Sequence, residues 1–275
     1  MRSHQVGADP TDRDAGYGWE VALPPGDTSL AGVAMAGFRD RAAVGLDMQV
    51  LPQPAVIVVL GLGDDPLTVE DTDGRRALSG LVAAPSPGPA RVRADHVECV
   101  ELRLSPRAAY ELLGVPPREL DGSVTGLDDL WGADVRRLRD RLTAAAGWRE
   151  RLALMDGFLA RRAERAPAMA PEVAAAWDHI VASRGRIRVD ELAASFGWSR
   201  KRLWSRFSAQ IGLTPKRAAM LVRFDHAARA LSTGADATET ALACGYADQA
   251  HLHRDVRAFA GCTPGALAGR VTSAG

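Results

Sequence analysis

The positions of apolar residues divide the chain into a strand-like part and a helical part. From about Trp19 to Leu104 the apolar residues alternate with polar ones or form short runs. Val97–Leu104 alternates as a half-buried strand does, and Ala55–Leu60 is an unbroken, largely β-branched run that ends at a glycine-rich turn. Because the strand-like segments are short and no long helical segment separates them, the pattern predicts an antiparallel sheet or barrel rather than a parallel α/β sheet.

After Ser105-Pro106 the spacing of apolar positions becomes that of helices. A short helix is predicted to run to about Leu113 and to stop at Gly114. Two longer helices are predicted over about Asp128–Ala146 and Trp148–Glu164. The next segment, residues 165–171, has no periodicity and two prolines, which is typical of a linker. The fold class expected is α+β, strand-rich and then helical, followed by an all-α C-terminal domain.

Two stretches of the C-terminal part repeat the same marker residues in the same order. The markers of the first stretch are Ala193, Gly197, Leu203, Phe207, Gly212 and Pro215, and those of the second are Ala241, Gly245, Leu252, Val256, Gly261 and Pro264. Only one of the gaps between markers differs, and it differs by one residue. A helix-turn-helix needs a small residue, a glycine four positions later and a pair of apolar residues one helical turn apart. A single such unit would favour a plain helical bundle, but two units with matched spacing, in the basic part of the chain, favour tandem helix-turn-helix units.

Charge separates the two parts of the chain, although the 275 residues have a net charge of zero. From Glu172 onward there are 14 basic and 9 acidic residues, so this part carries +5 and the remainder −5. The positive part coincides with the repeat, which is a hint of nucleic-acid binding. The polar, glycine-rich residues 1–18 lack the apolar core of a signal peptide, and no apolar run is long enough to span a membrane. We therefore expect a disordered tail and a cytoplasmic protein.

The repeat closely resembles the DNA-binding domain of the AraC/XylS family of transcription regulators. The resemblance extends over about Ala175–Arg270, and the segment from Gly245 to Pro264 is similar to the family signature. Between the two units, Pro215–Leu231 resembles the family's connecting helix, which at 1.5 Å per residue is roughly 25 Å long. The resemblance implies that two recognition helices enter successive major grooves of DNA.

The candidate DNA-binding residues lie on the second helix of each unit, the helix that enters the major groove. In the first unit the resemblance implies that Lys201, Trp204 and Ser205 face the bases and that Arg200, Arg202 and Arg206 contact phosphates or flanking bases. In the second unit the corresponding residues are Gln249, Ala250, His253 and Arg254. Glutamine pairs well with adenine and arginine with guanine, and the alanine methyl can contact thymine.

Four residues depart from the family pattern, one of them Arg206, where the family usually has an apolar residue. Ser205 stands where the family usually has arginine, Val256 where it prefers phenylalanine, and Asp255 adds a negative charge expected close to the groove. These departures leave open a second interpretation, in which the protein is a co-regulator that binds another protein and has only weak affinity for DNA. A non-enzymatic protein is expected, because a DNA-repair alkyltransferase with the same module would need a reactive cysteine, and the N-terminal part has only Cys99, in a predicted strand.

The resemblance also implies a role and partners for the N-terminal part. We expect residues 19–164 to form an effector-sensing or dimerisation domain, commonly a cupin-like barrel in this family, and residues 172–271 to form the DNA-binding domain. Duplex DNA is the expected partner; RNA polymerase, a small-molecule effector and a second copy of the chain stay open, and no membrane is expected. We expect no metal and no cofactor, because the cysteines and histidines form no ligand pattern, and His251 and His253 point about 200° apart on a helix. Arg91, Arg93, His96 and Glu101 are the strand residues proposed to contact an effector, whose identity the sequence leaves unknown.

Overall fold

The computed structural model describes residues 18–71, 74–85, 90–115, 117–120 and 124–267. Residues 1–17, which hold nearly all of the expected disordered tail, lie outside the described residues. The strands in chain order are β1 Trp19–Ala22, β2 Val33–Asp40, β3 Leu46–Val50, β4 Val56–Gly61, β5 Leu67–Asp71, β6 Gly74–Leu78, β7 Gly80–Ala83, β8 Ala90–Ala94, β9 Glu98–Leu104 and β10 Val124–Gly126. The helices are α1 Pro106–Leu112, α2 Leu127–Ala144, α3 Trp148–Ala163, α4 Pro171–Ala182, α5 Val189–Ser195, α6 Arg200–Ile211, α7 Pro215–Ser232, α8 Ala237–Ala243 and α9 Gln249–Ala260, with a short 3-10 helix at Pro117–Leu120.

The strands form two antiparallel sheets, as the sequence predicts. One sheet has the order β1-β2-β9-β4-β7-β10 and the other the order β3-β8-β5-β6. The unbroken apolar run of β4 has a simple cause, because both of its faces are covered. Val56, Val58 and Leu60 belong to the core shared with the helices, whereas Ile57 and Val59 belong to the core between the two sheets.

Helices α1, α2 and α3 cover the outer face of the larger sheet. Leu152, Met155 and Leu159, the apolar stripe of α3, are all buried there. The structure differs from the sequence prediction in α2, where Gly132 has a φ of 54° and a ψ of −130° and interrupts the helix with a kink. The sequence pattern also does not predict β10, whose three residues pair with β7 at the sheet edge.

A charged cluster fastens α3 to the larger sheet. Glu98 on β9 accepts hydrogen bonds from Arg39 on β2 and from Arg151 on α3. Both guanidinium groups also lie over the ring of Trp148, with the Cζ of Arg39 5.6 Å and the Cζ of Arg151 4.9 Å from the ring centre. Burial by itself would raise the pKa of Glu98, but the two arginines outweigh burial and hold this pKa below its ordinary value.

We expect Glu98→Gln to lower the free energy of unfolding by about 1–2 kcal/mol at neutral pH, because two arginines lose their charged partner. Because the pKa of Glu98 is lower in the folded state, its ionised carboxylate stabilises the protein at a pH above the ordinary pKa of 4.5. This stabilisation is lost as the pH falls through the lower pKa of the folded state. The difference between variant and wild type should therefore shrink below about pH 4. Urea unfolding at neutral and acidic pH measures this difference in stability. The control is Glu111→Gln, which removes an exposed ion pair with Arg107 and should change stability by less than about 0.5 kcal/mol.

The C-terminal helices surround a separate apolar core. Phe207 of α6 and Phe224 of α7 are among its largest fully buried side chains, and the ring of Phe224 stacks on that of Phe259 at 5.0 Å. The two parts of the chain also touch, because α1 and the 3-10 helix pack against α6. None of the described helices is long and apolar enough to cross a membrane.

Candidate nucleic-acid interface

The turn between the two helices of each unit has the same backbone structure in both units. Gly197 and Gly245 have φ angles of 62° and 76°, in the left-handed region that favours glycine. The next residue in each case donates its N–H to the carbonyl of the small marker residue, from Trp198 to Ala193 at 3.0 Å and from Tyr246 to Ala241 at 2.9 Å. Each glycine N–H bonds to the residue after that alanine, which completes a Schellman motif at the end of α5 and of α8.

Both second helices begin and end in the same way. The side chain of Ser199 caps α6 by accepting the N–H of Arg202, and that of Asp248 caps α9 by accepting the N–H of His251. Gly212 and Gly261, both in the left-handed conformation, end these helices. The sequence repeat is therefore a repeat of local structure, and α6 and α9 occupy equivalent positions in their units.

All six candidate residues of α6 are exposed, whereas Leu203 and Phe207 on the opposite side are buried. Trp204 is 56 % exposed and is the one aromatic residue among the large exposed hydrophobic side chains of the described residues. Arg202 lies 4.6 Å over the ring of Trp198, and Arg200 forms an ion pair of 3.0 Å with Asp190 of α5. Lys201, Ser205 and Arg206 complete the exposed set.

The four candidate residues of α9, Gln249, Ala250, His253 and Arg254, are also all exposed. Arg254 is held along the helix, because its Nε donates to the carbonyl of Ala250 at 3.3 Å. Arg257, which is not among the candidates from the sequence, is exposed three positions after Arg254 on the same side of the helix. Its helical spacing from Arg254 is the signal that could have identified it.

Asp255 is placed differently from the sequence expectation. The side chain is buried, and its carboxylate forms an ion pair of 3.6 Å with Arg223 of α7. Arg223 also lies 4.8 Å over the ring of Tyr246, whose phenol has a raised pKa because of burial and the nearby carboxylate. Asp255 therefore fastens α9 to the connecting helix and adds no negative charge to the exposed side of α9.

Helix α7 joins the two units as one continuous element of 18 residues, about 27 Å long. Thr214 caps its start, and it packs against α4, α6, α8 and α9. The two exposed helix faces are thus carried by a single rod, which fixes their separation and relative direction. The basic residues are divided unequally, with Arg200, Lys201, Arg202 and Arg206 on α6 but Arg254 and Arg257 on α9.

The other polar groups singled out in the sequence do not come together in one site. Arg91 pairs with Asp47, Arg93 with Asp47 and Glu70, and the exposed His96 with Asp65, whereas Glu101 is buried on β9 of the other sheet. No three metal-ligating side chains lie together among the described residues. Cys99 is buried on β9.

Two helix-turn-helix units, with exposed basic second helices on a common rod, define the class of DNA-binding proteins with tandem helix-turn-helix motifs. Residues 192–270 match a family model described as a helix-turn-helix domain. A probable AraC family transcriptional regulator from Rhodopseudomonas palustris CGA009 is 31 % identical over 37 % of this chain and 98 % of its own length, with a TM-score of 0.35. The chain belongs to the AraC family of transcription regulators.

The likeness to known structures extends into the strand-rich part. ToxT from Vibrio cholerae is 10 % identical, and the match covers 88 % of this chain and 99 % of that one with a TM-score of 0.51. At this identity the likeness concerns the fold alone. No curated protein sequence matches the chain.

Proposed function

We propose that this protein regulates transcription by reading two successive major grooves on one face of a DNA duplex. The observation that carries the proposal is the pair of equivalent helices, α6 and α9, whose exposed faces are joined by α7. In this proposal Lys201, Trp204, Ser205, Gln249, Ala250, His253 and Arg254 face base edges, while Arg200, Arg202 and Arg206 contact phosphates or flanking bases. A separation of about 34 Å, one turn of the duplex, suits two helices held by a rod of this length.

We propose that the parts of the chain have separate roles and that their boundaries are those expected from the sequence. Residues 19–164 would sense an effector or mediate self-association, residues 165–171 would act as the linker, and residues 172–271 would bind DNA. The opposite net charges of the two parts support this division, because only the positive part attracts the phosphate backbone. A regulator of bacterial promoters would act in the cytoplasm, without catalysis of its own.

The test of this function is selection of bound sequences from a pool of random DNA duplexes by the full chain at physiological salt. Two short enriched elements about ten base pairs apart are expected, because each recognition helix reads one major groove. If the folded protein enriches no sequence at either low or physiological salt, the proposal is wrong. A single enriched element would exclude reading by both units.

Arg254→Ala is expected to weaken binding to the selected site by about 1–3 kcal/mol, because a bidentate arginine–guanine contact contributes that much discrimination. Binding to random DNA should change much less. The matched control is Arg229→Ala, because Arg229 lies on α7 and pairs with Asp225 of its own helix. An unchanged ratio of specific to random affinity in Arg254→Ala would remove Arg254 from the set of base-reading residues.

A further inference from the structure

A cavity of about 440 Å³ lies among the helices of the N-terminal part, and no residue of α6 or α9 lines it. The C-terminal ends of α1 and α3 and the middle of α2 form its walls. Ala166 and Pro167, which lead from α3 toward α4, form one side of it. The volume is within the usual range of small-molecule sites, and an occupant would touch the segment that joins the two parts of the chain.

The charge of this cavity is opposite to that of the part of the chain around it. Five arginines line it, namely Arg137, Arg141, Arg161, Arg162 and Arg165, against two carboxylates, Glu111 and Asp134. Both carboxylates already have arginine partners, since Glu111 pairs with Arg107 at 3.2 Å and Asp134 with Arg137 at 2.5 Å. Within the described part of the chain, Arg141, Arg161 and Arg165 form no ion pair with a carboxylate.

Arg162 is held rigidly at the wall of the cavity. Its side chain is only 22 % exposed, its Nε donates to the carbonyl of Leu112 at 2.9 Å, and its guanidinium lies 4.9 Å from the ring centre of Trp131. Burial lowers the pKa of this guanidinium, but an arginine stays charged at neutral pH. Its Nη1 is 3.9 Å from Asp134, and its Nη2 donates to no group of the described residues, so one arm of a preorganised fork is free.

We propose that this cavity binds an organic anion, in which a carboxylate or phosphate group is attached to an apolar body. The arginines would contact the anionic group, since planar guanidinium groups recognise carboxylates and phosphates with paired hydrogen bonds. Leu112, Leu138 and Phe158, which also line the cavity, would contact the apolar body. The regulatory consequence rests on the proposed function: an occupant that contacts Ala166 and Pro167 changes the affinity of the linked helices for DNA.

The experiment compares two fluorescent probes that differ in charge. The full chain is titrated with 8-anilinonaphthalene-1-sulfonate, an apolar anion, and with N-phenyl-1-naphthylamine, its neutral counterpart. The variant Arg161→Ala/Arg165→Ala should bind the anionic probe about tenfold more weakly than wild type, because it loses two exposed charge contacts. The matched control is Arg136→Ala/Arg149→Ala, which removes two exposed arginines of α2 and α3 outside the cavity and should leave this affinity unchanged.

Inorganic phosphate should compete with the anionic probe on wild type, and the neutral probe should bind wild type and the cavity variant equally. Equal affinity of both proteins for the anionic probe would overturn the proposal. The proposal would also be overturned if the control variant Arg136→Ala/Arg149→Ala weakened binding of the anionic probe as much as the cavity variant does.

DNA affinity measured on the same preparations separates this inference from the proposed function. Without probe, the cavity variant should bind DNA as wild type does, and saturating anionic probe should shift the DNA affinity of wild type but not of the variant. If the protein shows arginine-dependent probe binding but no affinity for DNA, the proposed function fails and the anion site stands. If DNA affinity is the same with and without probe, the regulatory consequence is wrong.

Discussion

Replacing Arg200, Arg202 and Arg206 with glutamine is expected to make DNA binding much less sensitive to salt. Each phosphate contact that is lost reduces the slope of log affinity against log salt concentration by about 0.9, so the triple variant should lose about 2.7 from that slope. Over a fourfold rise in salt concentration, wild type should then lose about 40-fold more affinity than the variant loses. The expectation depends on α6, which carries more of the exposed basic residues than α9 does.

The salt titration has a control with the same change of net charge. Arg75, Arg107 and Arg149 are exposed residues of the N-terminal part, and their replacement by glutamine should leave the slope as it is in wild type. Equal slopes for wild type and the α6 variant would show that these arginines contact no phosphate. A wild-type slope near zero would instead favour the interpretation as a protein-binding co-regulator.

The second large effect is expected from Gly185→Ala, which should lower the free energy of unfolding by about 2–4 kcal/mol. Gly185 follows α4 with a φ of 71°, and a Cβ there would lie 2.1 Å from the carbonyl oxygen of Ala219 and 3.0 Å from the backbone nitrogen of Arg223. Both atoms belong to the backbone of α7, which cannot rotate away as a side chain would. The variant must therefore push α4 and α7 apart as well as bear the strain of a left-handed alanine.

Gly234→Ala separates the collision from the backbone strain. Gly234 has a φ of 85°, but a Cβ there would meet no atom within 4 Å, so only the strain of about 1 kcal/mol is expected. Urea unfolding of the two variants and wild type measures both effects. Equal losses of stability in the two variants would contradict the close approach of α4 to α7.

The helix-turn-helix units could be predicted from the sequence because their determinants are local. The turn at Gly197 needs a residue in the left-handed conformation, and the hydrogen bonds that close it join residues at most five positions apart. The spacing of the marker residues is therefore enough to predict the turn. The same holds for the caps Ser199 and Asp248. The base-facing roles remain predictions, since exposure is necessary for them but does not establish contact with DNA.

The features that the sequence did not reveal depend on residues far apart in the chain. Asp255 looked like a surface residue, because its partner Arg223 lies on another helix and nothing local indicates the ion pair. The three residues of β10 carry too little pattern to be recognised without the edge of β7 beside them. The arginine-lined cavity likewise needs three helices and the following segment to be assembled before its charges converge.

The continuous helix α7 limits how the target sites of this regulator can evolve. Adding one residue to an α-helix turns everything beyond it by about 100° and moves it by 1.5 Å, so a change in the length of α7 would move α9 off the face of the duplex that we propose α6 reads. The proposed two-groove recognition therefore implies that base substitutions within either element change control of a promoter gradually, whereas a single base pair inserted between the elements abolishes joint recognition. Sites for this protein should differ among promoters in sequence while keeping one spacing.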